Sequence, residues 1–136
     1  MKKILFLVGN KEEYQQMKFL FSSFNDYQKV LITKYLLLQK DHYFYQKRKY
    51  SFIKTIWYIF KNKPEYIICM GNISTVPIVL FSKIFKSKII YIEDYKSVFE
   101  LSKAGKIIKK FANLFIVQSD ILKEKYPDCI YEGWTI

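Results

Sequence analysis

Short apolar runs that stop at a polar side chain alternate along this chain with stretches whose apolar residues recur every three to four positions. The clearest runs are Lys88-Ile-Ile-Tyr-Ile-Glu93 and Leu114-Phe-Ile-Val-Gln118. Each has the length and near-continuous hydrophobicity of a strand buried on both faces, which is the habit of parallel sheets. Similar runs at Ile4–Val8, Lys29–Thr33, Tyr66–Met70 and Ile130–Tyr131 predict further strands, with another near Tyr43–Tyr45. Between them the period changes. Met17, Leu20, Phe21 and Phe24 fall at i, i+3, i+4 and i+7 and predict a helix over Glu12–Phe24. Asn10 is placed to cap it, and Glu12 and Glu13 suit its first turn. Further helices are predicted at Ser51–Asn62, Thr75–Phe85, Lys103–Phe111 and Asp120–Tyr126, with Pro64 and Pro127 as stops and Pro77 in a first turn.

Strands alternating with helices predict an α/β fold, a doubly wound parallel sheet. Right-handed crossovers then bring the carboxyl ends of all strands to one edge, outside which ligands of such sheets bind. Four strand ends would meet there: Gly9-Asn10, Gly71-Asn72, Glu93 and Gln118. With 136 residues, 51% hydrophobic, and only 4 Gly and 3 Pro, the expectation is one domain over residues 1–136 without a linker.

Charge changes the picture. The formal net charge is +11, and residues 1–68 hold 13 Lys/Arg against 5 Asp/Glu. The candidates for an anionic partner are a phospholipid surface, a pyrophosphate-linked lipid or nucleic acid; the alternative is a Lys-rich composition that merely reflects the protein's source. The basic aromatic segment Tyr43–Lys63 reads as an interfacial helix, with Lys47, Arg48, Lys49, Lys54 and Trp57 at the membrane; the alternative is a core-facing helix with a solvated basic side. The opening run Ile4–Val8 is too short for an export signal or a span, so membrane contact is expected to be peripheral. Cys69 and Cys129 are expected to be reduced thiols. His42 lacks a partner set, and no Cys/His cluster has metal-ligand spacing, so neither metal nor cofactor is expected.

Candidate chemistry gathers at the predicted strand ends. Gly9, Asn10 and Lys11 are expected at a strand-to-helix turn whose backbone N–H groups suit a phosphate; the alternative is an ordinary tight turn. Gly71, Asn72 and Ser74 form a second, for a phosphate or sugar hydroxyls; Ser74 is equally a helix cap. A buried Glu93 would serve as a base or bind a sugar hydroxyl, or else pair with a loop lysine.

These pieces resemble the small subunit of split glycosyltransferases, found in dolichol-linked oligosaccharide synthesis and in bacterial capsule and exopolysaccharide synthesis. The resemblance rests on Pro64-Glu65-Tyr66-Ile67-Ile68 with Gly71 and Pro77, on Ile89–Glu93, on Ser102-Lys-Ala-Gly-Lys106, on Leu114–Gln118, and on Tyr126-Pro127 followed by Gly133. It implies the amino-terminal half of a GT-B glycosyltransferase, lying peripherally on the cytoplasmic face of an anionic membrane. A partner subunit would hold most of the nucleotide-sugar site. This half would help bind a lipid-pyrophosphate-linked saccharide acceptor, such as an undecaprenyl one, and complete the cleft without a metal. Glu93 carries over as the catalytic or acceptor-contacting candidate, and Gln118 matches as either a substrate contact or a structural residue. The family's Ser-Gly-Gly-His loop is replaced by Gly9-Asn10-Lys11-Glu12-Glu13, and the family's apolar anchor before the first strand is not expected here. The altered loop motivates an alternative, a non-catalytic scaffold of the same fold; a basic nucleic-acid-binding module is a further one that no motif supports.

Overall fold

The structure, a computed structural model, describes residues 3–8, 15, 28–33, 45–47, 52–70, 76–94 and 96–131. Seven strands form one sheet: β1 (Lys3–Val8), β2 (Gln28–Thr33), β3 (Tyr45–Lys47), β4 (Tyr66–Met70), β5 (Lys88–Ile92), β6 (Leu114–Val117) and β7 (Ile130–Tyr131). Their order is β3-β2-β1-β4-β5-β6-β7, and every pairing is parallel. The doubly wound sheet expected from the alternating pattern is therefore present. β3 lies two residues later than the aromatic run suggested. Of the predicted first helix, only Gln15 is described, and it is helical.

Four helices are described: α1 (Phe52–Asn62), α2 (Val76–Ser82), α3 (Lys103–Ile108) and α4 (Asp120–Lys125). The predicted Thr75–Phe85 helix divides into α2 and a 3₁₀ turn over Lys83–Phe85. That turn ends at Lys86 in the left-handed region, φ 59°. α3 is shorter than predicted because Lys109–Phe111 leave the helix as a turn, with the Phe111 and Ala112 N–H groups both donating to the Ile108 carbonyl.

Alternation along each strand divides the side chains between two sheet faces. One face carries Leu5, Leu7, Ile67, Cys69, Ile89, Tyr91, Phe115 and Val117, which pack with Ile59, Ile78, Val79, Ala104, Ile108 and Leu122 of the helices. The opposite face carries Ile4, Phe6, Ile68 and Met70, buried as completely. Double-sided burial explains why the central strands read as unbroken apolar runs. Asn113 fixes the start of β6 against β5: its N–H donates to the Ile89 carbonyl, and its side-chain oxygen accepts the Ile89 N–H, 2.9 Å each way.

The sheet order turns between β1 and β4, since β1 leads outward to β2 and β3 while β4 leads to β5, β6 and β7. Val8 and Met70 end those two strands, which are in register through Leu7 and Cys69. Met70 is level with Ile92, so the carboxyl edge runs as one row from Val8 to Val117.

Candidate functional site at the carboxyl edge of the sheet

Glu93 follows β5 directly. Its N–H donates to the Ile116 carbonyl (2.8 Å), which keeps the backbone in strand-like register for one more residue. It therefore projects to the same face as Tyr91, two positions earlier. That face lies beneath α3, and the carboxylate is fully buried.

Its donors are neutral groups. Ser102 donates twice, from its backbone N–H to Oε2 (3.0 Å) and from its hydroxyl to Oε1 (2.9 Å). The Asp94 N–H donates to Oε1 (3.0 Å), and the Tyr91 hydroxyl reaches the same oxygen at 3.2 Å. Burial pushes the Glu93 carboxyl above its ordinary range; the bonds from Ser102, Asp94 and Tyr91 pull it back only in part. Burial, and after it the Glu93 charge, drives the Tyr91 phenol well upward. The Tyr91 ring is fixed by stacking on Phe115, centroids 4.8 Å apart.

The arrangement is a helix cap assembled from two elements. Ser102 is the N-cap of α3, extended at φ −62° and ψ 164°, and its hydroxyl accepts the Gly105 N–H at 3.0 Å. In a capping box, a glutamate three residues into the helix reaches back to the N-cap N–H. Here Gly105 holds that place, and Glu93 supplies the carboxylate from the strand end. A Cβ on Gly105 would stand 2.1 Å from Glu93 Oε2, so the glycine makes room for the borrowed carboxylate.

Glu93 thereby joins both ends of the connection from Asp94 to Ser102. Its middle is tied as well. The Ser119 hydroxyl donates to the Val98 carbonyl (2.8 Å), and Glu100 pairs with Lys106 and Lys125. Gln118, also fully buried, donates its amide to the Glu93 carbonyl at 2.9 Å. Ser102→Ala removes the cap acceptor and a carboxylate donor together. We expect it to lower stability by about 1–2 kcal/mol, read as a lower urea midpoint with unchanged slope.

Of the site residues expected from sequence, Glu93 and Gln118 are brought together, with both side chains turned inward. Gly9, Asn10, Lys11, Gly71, Asn72 and Ser74 lie outside the described residues, as do His42, Arg48 and Lys49; β1 and β4, which precede the two glycines in sequence, end beside one another. Lys47 is in β3 and Lys54 in α1. Trp57 is 64% exposed. Both cysteines are buried free thiols. Among the described residues, no group of three or more His, Cys, Asp or Glu side chains is placed to hold a metal, and no helix is long and apolar enough to cross a membrane. Sequence reasoning missed Tyr91, Ser102 and Gly105 as parts of this site. The available signal was a serine three residues before a buried helical glycine.

Comparison with known proteins agrees with this architecture. The family model described as "Oligosaccharide biosynthesis protein Alg14 like" matches residues 38–135. Curated relatives are each named UDP-N-acetylglucosamine transferase subunit ALG14. The Mus musculus protein is 35% identical over 89 residues, covering 58% of this chain and 41% of the relative. The Homo sapiens protein is 37% identical over 81 residues, covering 55% and 38%. The Yarrowia lipolytica protein is 34% identical over 89 residues, covering 61% and 41%. The chain thus spans less than half the length of the curated relatives it matches. Among solved structures, UDP-N-acetylglucosamine 2-epimerase from Rickettsia bellii superposes with a TM-score of 0.67 at 17% identity, over 99% of this chain and 45% of the epimerase. That likeness concerns the fold: a Rossmann-like sheet of the kind that forms one half of a GT-B protein. With the family model matched over most of its length, this chain belongs to the Alg14-like family of oligosaccharide biosynthesis proteins.

Proposed function

We propose that this chain, a single amino-terminal-type GT-B domain over residues 1–136, is one subunit of a two-chain glycosyltransferase. It works peripherally on the cytoplasmic face of the membrane, where it helps bind a lipid-pyrophosphate-linked saccharide acceptor. The partner chain binds most of the nucleotide sugar. The observation that carries the reading is membership of a family whose curated relatives are each named as a subunit of a UDP-N-acetylglucosamine transferase. The sheet supports it physically. β1 and β4 flank the switch point, where ligands of such sheets bind, and the sequence continues from them into Gly9-Asn10-Lys11 and Gly71-Asn72-Ser74, residue types that suit the acceptor's phosphates.

In this reading Glu93 acts by position. Its carboxylate secures the connection from Asp94 to Ser102, which starts at the carboxyl edge of the sheet, and Gln118 secures the backbone of Glu93. The burial of both side chains also favours a second reading, a non-catalytic scaffold of the same fold that holds the partner without touching substrate.

Reconstitution distinguishes them. The full chain is purified with and without a candidate nucleotide-sugar-binding partner. Transfer of labelled N-acetylglucosamine from its UDP donor to a synthetic isoprenoid-pyrophosphate-linked sugar is then measured. The proposal expects transfer only when both chains are present. Equal transfer by the partner alone supports the scaffold; absence of transfer and of association overturns both.

A further inference from the structure

Among its described residues, α1 carries large apolar side chains on its outer side as well as its inner one. Ile59 is buried in the core, yet Ile53, Trp57 and Phe60, at i, i+4 and i+7, are exposed by 78%, 64% and 52%. Trp57 stacks on Phe60 (centroids 6.0 Å), and Phe60 meets Phe85 of the 3₁₀ turn edge-on at 5.7 Å. Phe81 of α2 continues the row against Phe85 at 5.3 Å. Ile53, Ile56, Trp57, Phe60 and Phe81 wall an open apolar groove of about 360 Å³ between α1 and α2. Ile84, beside Phe85 in the 3₁₀ turn, is 70% exposed. A contiguous apolar surface of this kind marks a place of contact.

Charge identifies what it contacts. Between Phe52 and Ile90 the chain has six lysines and one carboxylate, Glu65, which is half-buried. Lys61, Lys63 and Lys86 are exposed. Lys63 and Lys86 also adopt left-handed backbone conformations, φ 44° and 59°, where glycine is the unstrained choice. They sit beside each other, because the Ser87 hydroxyl donates to the Pro64 carbonyl (2.7 Å) and the Lys88 N–H to the Glu65 carbonyl (2.9 Å). Two adjacent lysines thus occupy strained positions beyond the ends of α1 and the 3₁₀ turn, close to the aromatic row.

We propose that this two-element face, α1 with the α2–3₁₀ corner, is a docking surface for an anionic phospholipid bilayer. Ile53, Trp57, Phe60 and Ile84 enter the acyl boundary, while Lys61, Lys63 and Lys86 lie at headgroup level. An aromatic stripe with a cationic rim matches that interface. A protein partner would need carboxylates to answer the same lysines. The inference specifies the membrane contact in the proposed function and rests on it only for the side of the membrane involved.

The test needs neither partner nor sugar. Trp134→Phe leaves Trp57 as the sole tryptophan of the full chain. Its emission is followed on titration with vesicles of phosphatidylglycerol and phosphatidylcholine, and separately with phosphatidylcholine alone. The expected result is a blue shift, with quenching by brominated acyl chains, that depends on the anionic lipid and weakens with salt. Lys63→Gly with Lys86→Gly relieves the backbone and removes two charges, and should weaken binding about thirtyfold. Ile84→Asp, at an exposed site, should abolish acyl quenching while leaving the unfolding midpoint unchanged. Absence of any shift or quenching overturns the proposal. So does protection of Trp57 by concentration-dependent pairing of two copies. Absence of transfer and of partner association in the reconstitution, with lipid binding intact here, would refute the proposed function and leave this inference standing.

Discussion

Glu93→Ala should be among the most damaging single substitutions in the described structure, although the residue stands at a sheet edge rather than in the apolar core. The carboxylate accepts the backbone N–H groups of Asp94 and Ser102. A buried backbone donor left without an acceptor costs roughly 1–3 kcal/mol, so orphaning both costs about 2–6 kcal/mol before the cavity is counted. Glu93→Gln keeps the volume but is not benign. Whichever way its amide turns, an NH₂ group faces a backbone N–H, and the expected loss is roughly 1–3 kcal/mol. Chemical denaturation of both variants measures the difference, and a wild-type midpoint for Glu93→Gln would refute the account of the cap. The pH dependence has a definite sign. The folded-state pKa of Glu93 is raised, chiefly by burial, so the folded state binds the proton more tightly than the unfolded chain does. The stability contributed by this titration is complete below the unfolded value and is lost as pH rises through the folded value. The advantage of wild type over Glu93→Gln should therefore shrink from acid toward neutral pH.

Gly105→Ala should destabilise, against the usual behaviour of a helix. Replacing an interior helical glycine with alanine ordinarily gains about 1 kcal/mol. Here the added methyl would meet Glu93 Oε2 at 2.1 Å and the Ser102 hydroxyl at 3.2 Å. The carboxylate cannot retreat without releasing the Ser102 N–H. Overpacking of this sort costs about 1–3 kcal/mol. The double-mutant cycle gives the sharper result. In a Glu93→Ala background the obstacle is gone, so Gly105→Ala should recover its normal helix gain and change sign. A coupling energy of about 1–3 kcal/mol is expected between two residues twelve positions apart in sequence. Additive effects would mean that Gly105 is a glycine for some other reason.

Both predictions concern an element whose placement was legible and whose wiring was not. Strand Lys88–Glu93 can be read from its unbroken apolar run, and the polar residue at its end marks the carboxyl edge. Because the strand is buried on both faces, alternation does not say which face lies under a helix. Only that choice decides whether Glu93 points at a ligand or at Ser102. The capping box was hidden for a related reason: its serine and its carboxylate come from different elements, and the position where a local box would carry glutamate carries glycine. α1 posed the same ambiguity in another form. Ile53, Ile56, Trp57, Ile59 and Phe60 make it apolar over so wide an arc that spacing alone does not separate the core side from the outer one. Packing against the sheet buries Ile59 and leaves Trp57 outside.

Periodicity, punctuation by proline and charge are local properties, carried by neighbouring residues and therefore written in the chain order. They were enough for the order of strands and helices, the parallel sheet, the carboxyl edge and the basic first half. The trans cap of α3, the clash-free glycine beneath it and the outward aromatic row depend on residues far apart in sequence meeting at distances of a few ångströms. Such meetings are settled by crossover handedness and sheet register, which place β5 next to β6 and α1 next to α2, and no local pattern specifies them.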